Sequence, residues 1–293
     1  MRYGFLILLP FCAAALSQTR PAITGVAHIA LKSNDMAASE KFYGRDLGFD
    51  SPFTANGITY FKVNDRQYVE VTPDLKSETE DRLSHIAFET ADAKQLRSYL
   101  ASKGVAVPAS VAADADGNLT LTVKDPEGHE VLFVQYLPGS LQGRNFGKAM
   151  PDRRISMRII HVGFTVQDRA AEDAFYKDIL GFGEMWHGGK TDASVDWVDM
   201  RVPDGDDWLE YMLNVHNPSP KTLGVMHHMA LGAPSVDDAY KRLLERGVAP
   251  AETPKIGRDG KWQLNLYDPN LTRVELMEPK PVETPCCSPM KTR

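Results

Sequence analysis

Apolar and polar positions alternate in short runs along this chain, and four of the runs open alike. Each starts with a histidine followed by apolar, small and apolar residues: His28-Ile29-Ala30-Leu31, His85-Ile86-Ala87-Phe88, His161-Val162-Gly163-Phe164 and His228-Met229-Ala230-Leu231. A period of two predicts a strand whose successive side chains face opposite ways. Ile29 and Leu31 then face a core, while His28 and Ala30 share the other face. The small residue beside every histidine leaves room that a packed core would fill, so this face points to a cavity.

After each strand the period lengthens to that of a helix. Segment 38–49 matches segment 171–182, with Phe42-Tyr43 and Phe175-Tyr176 offset by 133 residues, as are His28 and His161. Segments 93–105 and 236–248 carry apolar residues at helical spacing and end at Gly104 and Gly247, where a left-handed cap costs little. Asp35 and Asp168 stand as N-caps before the first and third helices. Alternating runs then predict strands over 58–63, 68–72, 119–123 and 131–135, and over 195–200, 208–213, 263–267 and 274–277. The unit is βαβββ in four copies, an α+β fold. Asp125-Pro126 matches Asp268-Pro269 at an offset of 143 rather than 133, so the second half holds about ten added residues, assigned to the turn-rich stretch 202–207.

At 293 residues the chain exceeds what one core comfortably supports, which predicts two domains. They are expected over 22–138 and 156–279, with a linker over 139–155 and a disordered tail over 280–293. Residues 1–17 read as a secretory signal: a basic start, an apolar stretch over 5–16, then small residues before Gln18. That stretch is too short for a membrane span. The expectation is a periplasmic or secreted protein with no stable membrane span after cleavage. The net charge of −6 becomes −7 without Arg2, and no dense basic patch exists, which excludes nucleic acid as a partner. Cys12 lies in the leader and Cys286 and Cys287 in the tail, so no disulfide framework crosses the core.

Carboxylates on matching strands complete the candidate chemistry. Glu210 interrupts the apolar run Trp208-Leu209-Glu210-Tyr211-Met212, and Glu70 does the same in the first half. Glu275 follows Asp268 by seven residues, whereas the seventh after Asp125 is Leu132; Glu130 comes two earlier. The second half therefore offers His161, Glu210, His228 and Glu275 as metal ligands, one per strand. Two imidazoles and two carboxylates suit Fe, Mn, Ni, Co or Zn. The first half offers a secondary set, His28, Glu70 and His85, and reads as a degenerate site. His129, His187 and His216 fall in loops or turns and His227 faces away from His228; all four are taken as non-ligands, with His187 at the pocket edge.

These residues resemble the vicinal oxygen chelate superfamily, which includes glyoxalase I, extradiol dioxygenases and bleomycin resistance proteins. The His-strand followed by Phe-Tyr…Leu-Gly-Phe, and Asp-Pro…Val-Glu-Leu ending at Leu276, carry the resemblance. It implies βαβββ modules paired into two glyoxalase-like domains, with cupped mixed sheets around a divalent metal. It pairs modules one with two and three with four by default; pairing one with four would instead join His28 and Glu70 to His228 and Glu275. His161, Glu210, His228 and Glu275 match the glyoxalase-type ligand set, with Glu275 or Glu210 as general base. His161, His228 and Glu275 alone match the two-His-one-carboxylate set of the dioxygenases.

Three functions follow from the resemblance. The leading one is a metal-dependent isomerase or lyase holding a small molecule by two adjacent oxygens. The alternatives are an Fe(II) extradiol-type dioxygenase and a non-catalytic binding or resistance protein whose pocket Trp186, Trp197, Trp208, Met212 and Trp262 would line. The partner is a small-molecule substrate, and the chain is a monomer or homodimer.

Overall fold

The computed structural model describes residues 19–292. The expected leader falls outside them. Strand β1 (Ile23–Lys32) leads into helix α1 (Met36–Ser39, continued by the wider turns of Glu40–Asp46), then β2 (Thr54–Ala55), β3 (Ile58–Lys62) and β4 (Tyr68–Thr72). The second unit is β5 (Leu83–Thr90), α2 (Ala93–Ser102), β6 (Ala112–Ala113), β7 (Leu119–Lys124) and β8 (Glu130–Gln135). A short helix, α3 (Leu141–Arg144), lies in the connection to the second half. There β9 (Arg158–Thr165), α4 (Arg169–Glu172, continued by Asp173–Ile179), β10 (Gly183–Gly188), β11 (Trp197–Arg201) and β12 (Trp208–Met212) form the third unit. Helix α5 (Pro220–Met226) precedes the fourth: β13 (His228–Gly232), α6 (Val236–Glu245), β14 (Lys255–Ile256), β15 (Trp262–Tyr267) and β16 (Arg273–Met277).

The strands form two eight-stranded mixed sheets of the same order, β2-β3-β4-β1-β5-β8-β7-β6 and β10-β11-β12-β9-β13-β16-β15-β14. Modules one and two share the first sheet, and modules three and four the second. In each sheet the two histidine strands are central antiparallel neighbours, β1 with β5 and β9 with β13.

Local chemistry explains the helices. Asp35 accepts a hydrogen bond from Ala38 N (2.9 Å) and Asp168 from Ala171 N (3.1 Å), capping α1 and α4. The i→i+5 turns that follow bring both aromatics of each Phe-Tyr pair inward: Tyr43 and Tyr176 are fully buried, and Phe42 and Phe175 pack on the core. Gly48 then takes φ +82° while Arg153 O passes 2.6 Å from where a Cβ would stand, so both conformation and space require glycine.

The non-histidine faces of the strands, including Ile29, Leu31, Val162 and Phe164, join one hydrophobic core that spans both halves. Polar ties cross the halves too. Asp207 accepts from Val26 N (2.9 Å), Gln67 Nε2 (3.0 Å) and Arg158 Nε (2.7 Å). Tyr43 donates to Asp268 (2.9 Å), and its counterpart Tyr176 donates to Asp125 (3.3 Å).

Three expectations need correction. The stretch 202–207 is a tight turn about as long as its counterpart 63–67; the added residues lie in the β10–β11 connection 189–196 and in the approach to β13. Turn-forming composition marked where the chain bends, not where it lengthened. His187 is on strand β10 rather than in a loop. The tail lacks regular structure but follows a bonded path. Val282 N donates to Gly260 O (2.8 Å), Trp186 Nε1 to Cys286 O (3.2 Å) and Lys291 N to Met185 O (2.8 Å). Its Pro-rich sequence excludes helix and strand, yet Gly260 and the edge strand β10 supply partners. Cys286 and Cys287 are disulfide-bonded to each other. Among the described residues no helix is long and apolar enough to cross a membrane.

Candidate metal centre

Strands β12, β9, β13 and β16 lie side by side, and their register brings one polar side chain from each to one face. Glu210 pairs with Gly163 across β12 and β9, and Gly163 with His228 across β9 and β13. Ala230 pairs with both His161 and Glu275. Each imidazole or carboxylate thus stands beside a small residue of the next strand. The room left by these small residues is filled by the neighbouring donor, not left open as cavity.

The donors converge. His161 Nε2 and His228 Nε2 are 3.1 Å apart, and Glu210 Oε2 lies 3.0 Å from His228 Nε2 and 3.9 Å from His161 Nε2. Glu275 Oε2 is 3.7 Å from His161 Nε2, on the other side. His161, His228 and Glu275 offer ligand atoms within 4.8 Å of one another. His228 Nδ1 meets the Met226 carbonyl at 2.8 Å, which orients the ring so that Nε2 faces the other donors. His161, His228 and Glu275 form the compact group, with Glu210 set against His228 at its edge, and buried donors gathered so closely are costly to assemble unless something with positive charge joins them. The donor set fits a divalent ion of the zinc, manganese or iron type.

Electrostatics separates the two carboxyls. Burial, with Glu210 and Asp259 nearby, pushes Glu275 up to about 7 against the pull of Arg273. Burial acts the same way on Glu210, but the His228 hydrogen bond and the imidazoles outweigh it and hold this carboxyl at about 2. Burial keeps His161 well below its usual value, hence neutral. Two acids pushed apart in this way are suited to different roles.

A cavity of about 300 Å³ opens onto the cluster, lined by His161, Glu210, Glu275, Trp186, Trp197, Trp208, Asp199, Arg258 and Arg273 among others. Met212 and Trp262 do not line it: Met212 is buried and Trp262 packs on the core. Sequence reasoning missed Asp199, which pairs with Glu210 across β11 and β12. It is buried, its Oδ1 has no partner among the described residues, and burial, then Glu210, pushes its carboxyl above the usual carboxylate range. The signal was present: an acid at the centre of the apolar run Trp197-Val198-Asp199-Met200.

The first half repeats the arrangement with one group missing. His28 Nε2 and His85 Nε2 are 2.9 Å apart, and Leu132 pairs with Ala87 where Glu275 pairs with Ala230. Glu70 is placed differently from Glu210: it contacts His28 Nδ1 at 3.2 Å, not an Nε2. Burial raises Glu70 well above the usual carboxylate range, so it carries a proton. The three still offer ligand atoms within 4.8 Å. Glu130 is exposed and takes no part. His187 binds Glu184 (2.9 Å) and does not line the cavity.

The model of the Glyoxalase/Bleomycin resistance protein/Dioxygenase superfamily matches residues 25–133 and 158–276. The chain belongs to this superfamily. The two matched segments are the two halves, so the superfamily repeat accounts for both sheets. No curated protein matches the chain in sequence. Among solved structures, a homoprotocatechuate 2,3-dioxygenase variant from B. fuscum is similar with TM-score 0.68 and 17% identity, over 91% of this chain and 74% of that one. The 2,3-dioxygenase LapB from Pseudomonas sp. KL28 gives 0.69 and 15%, over 91% and 97%. A Mn(II)-bound glyoxalase from Novosphingobium aromaticivorans gives 0.68 and 18%, over 88% and 83%. At these identities the likeness is one of fold. In superfamily terms the chain has two modules per half, with the fuller donor set in the second.

Proposed function

We propose that this superfamily member is a divalent-metal-dependent isomerase or lyase, acting on a small molecule held through two adjacent oxygens at His161, Glu210, His228 and Glu275. The observation that carries this reading is Glu210: its Oε2 stands 3.0 Å from His228 Nε2, beside the group of His161, His228 and Glu275, where a two-His-one-carboxylate centre needs no fourth group. A Mn(II)-bound glyoxalase shares the fold, which supports the choice.

A bound divalent ion supplies a Lewis acid that polarises the substrate oxygens. The chain supplies the rest. Glu275, once off the ion, can take a proton from the carbon beside a carbonyl and return it to the neighbouring carbon. Glu210 stays anionic and holds His228. Asp199 faces the same cavity, within reach of a substrate oxygen. Trp186, Trp197 and Trp208 form apolar walls that hold and desolvate the substrate, while Arg258 and Arg273 offer positive charge to an acidic substituent. That this chemistry takes place outside the cytoplasm is part of the proposal and rests on the signal-like residues 1–17 alone. The test is exchange of the substrate C–H with solvent deuterium, assayed with α-hydroxycarbonyl and thiohemiacetal compounds.

A second reading, an Fe(II) extradiol-type dioxygenase, draws on the compact grouping of His161, His228 and Glu275 and on the fold shared with two 2,3-dioxygenases. Oxygen uptake with catechols would favour it. Among the described residues, no histidine other than His161 lines the cavity to serve as its acid–base group.

A further inference from the structure

A cluster distinct from both histidine-strand sets lies between the halves. Asp125 and His129 come from the turn before β8, and Glu172 from the end of α4. Their ligand atoms lie within 4.8 Å of one another. Asp125 Oδ2 sits 2.8 Å from His129 Nδ1, and Glu172 Oε1 accepts from Glu127 N (3.1 Å). Glu172 is 0% exposed, and its Oε2 is buried with no hydrogen-bond partner among the described residues. No lysine or arginine pairs with Asp125 or Glu172 among the described residues; the one ion-pair contact there is His129.

The duplicated half provides an internal control. Asp268 plays the part of Asp125: it accepts from Thr272 N (2.9 Å) and from Tyr43 (2.9 Å), as Asp125 accepts from His129 N (2.8 Å) and Tyr176 (3.3 Å). The aspartate and tyrosine are thus a shared structural device. The other two positions differ. Thr272 stands where the first-half turn has His129, and Ser39 stands where α4 has Glu172. Ser39 is satisfied by Ser33 at 2.8 Å. Both departures replace a neutral group with a metal-ligating one, and both fall at the same end of the same interface.

We propose that Asp125, His129 and Glu172 form a divalent-cation site of the zinc class that joins the two halves. One imidazole nitrogen and two carboxylates suit zinc, cobalt or nickel, and binding releases the protons these groups hold without metal. Glu172, pushed up to about 8 chiefly by burial and then by Asp125, is a buried acid lacking a cation. A cavity of about 330 Å³, lined by His129, Glu127 and also His85, opens beside the His129 edge of the cluster. His129 is held for the task by stacking on Phe164, ring centroids 4.2 Å apart.

The test is calorimetric titration of chelator-stripped full chain with Zn²⁺. The site requires wild type to bind one more equivalent than either Glu172→Gln or the double variant His129→Thr with Glu172→Ser. That double variant installs the residues the other half already uses, so its fold is supported by precedent within the chain. Equal stoichiometry in all three overturns the proposal and leaves a shared proton as the occupant. As a check without mutation, wild-type crystals grown with Zn²⁺ must show anomalous scattering between α4 and the β7–β8 turn; none there also overturns it.

Discussion

The ring of His228 occupies the space above Gly163: a Cβ on Gly163 would lie 2.3 Å from His228 Cε1 and 2.7 Å from Nδ1. The small residue of the third histidine strand is therefore the floor on which the fourth histidine rests. Gly163→Ala should push the imidazole aside without touching the core face of β9. Metal affinity should fall by about 10- to 100-fold, the usual effect of losing a positioning contact, with the melting temperature little changed. Calorimetric metal titration beside a thermal melt checks this.

The two carboxylates should separate binding from turnover. Glu275→Ala removes a ligand and should release the metal from the second half. Glu210→Gln keeps the shape beside His228 and should retain the metal. With the anionic support of His228 removed, turnover should drop about 10- to 100-fold, the usual cost of losing a group that positions a ligand. A Glu210→Gln enzyme with unchanged turnover would favour the three-ligand reading.

Leu132 stands in the register position of Glu275, paired to Ala87 as Glu275 is to Ala230. Leu132→Glu should give the first half its fourth donor and raise its metal affinity by at least about tenfold. The metal-free variant should be less stable than wild type by about 1–3 kcal/mol, the cost of an unsatisfied polar group. Titration and denaturant melts with and without metal read both effects.

With chelator present, Glu172 should leave a mark on the pH dependence of stability. Its folded value, about 8, lies above its ordinary value of 4.5, so between these limits the folded chain binds more protons than the unfolded one. Stability from this group is full below about 4.5 and is lost as pH rises through 8. Glu172→Gln should remove that loss, so its stability relative to wild type should grow from pH 5 to pH 8. Urea melts across that range decide it, and a constant difference would contradict it.

Much of this was legible in the sequence because the chain states it twice. Four copies of one strand pattern mark the βαβββ unit, and the matching apolar runs around Glu70 and Glu210 mark both carboxylates, although Glu70 meets a histidine Nδ1 and Glu210 an Nε2. What stayed hidden depends on neighbours. His187 looked like a loop residue because β10 is an edge strand, whose burial pattern is weak. The bonded course of the tail depends on Gly260 and Trp186, distant in sequence. Asp125 and His129 share one turn of the first half while Glu172 ends α4 in the second, and only the packing of α4 against the β7–β8 turn brings them together.

Elemental analysis of the purified protein, with His161→Ala and His28→Ala variants alongside, tests the central claim most directly. The account predicts that His161→Ala loses the metal of the second half and all turnover, while His28→Ala keeps both. Retention of metal and activity in His161→Ala, with loss in His28→Ala, would contradict it.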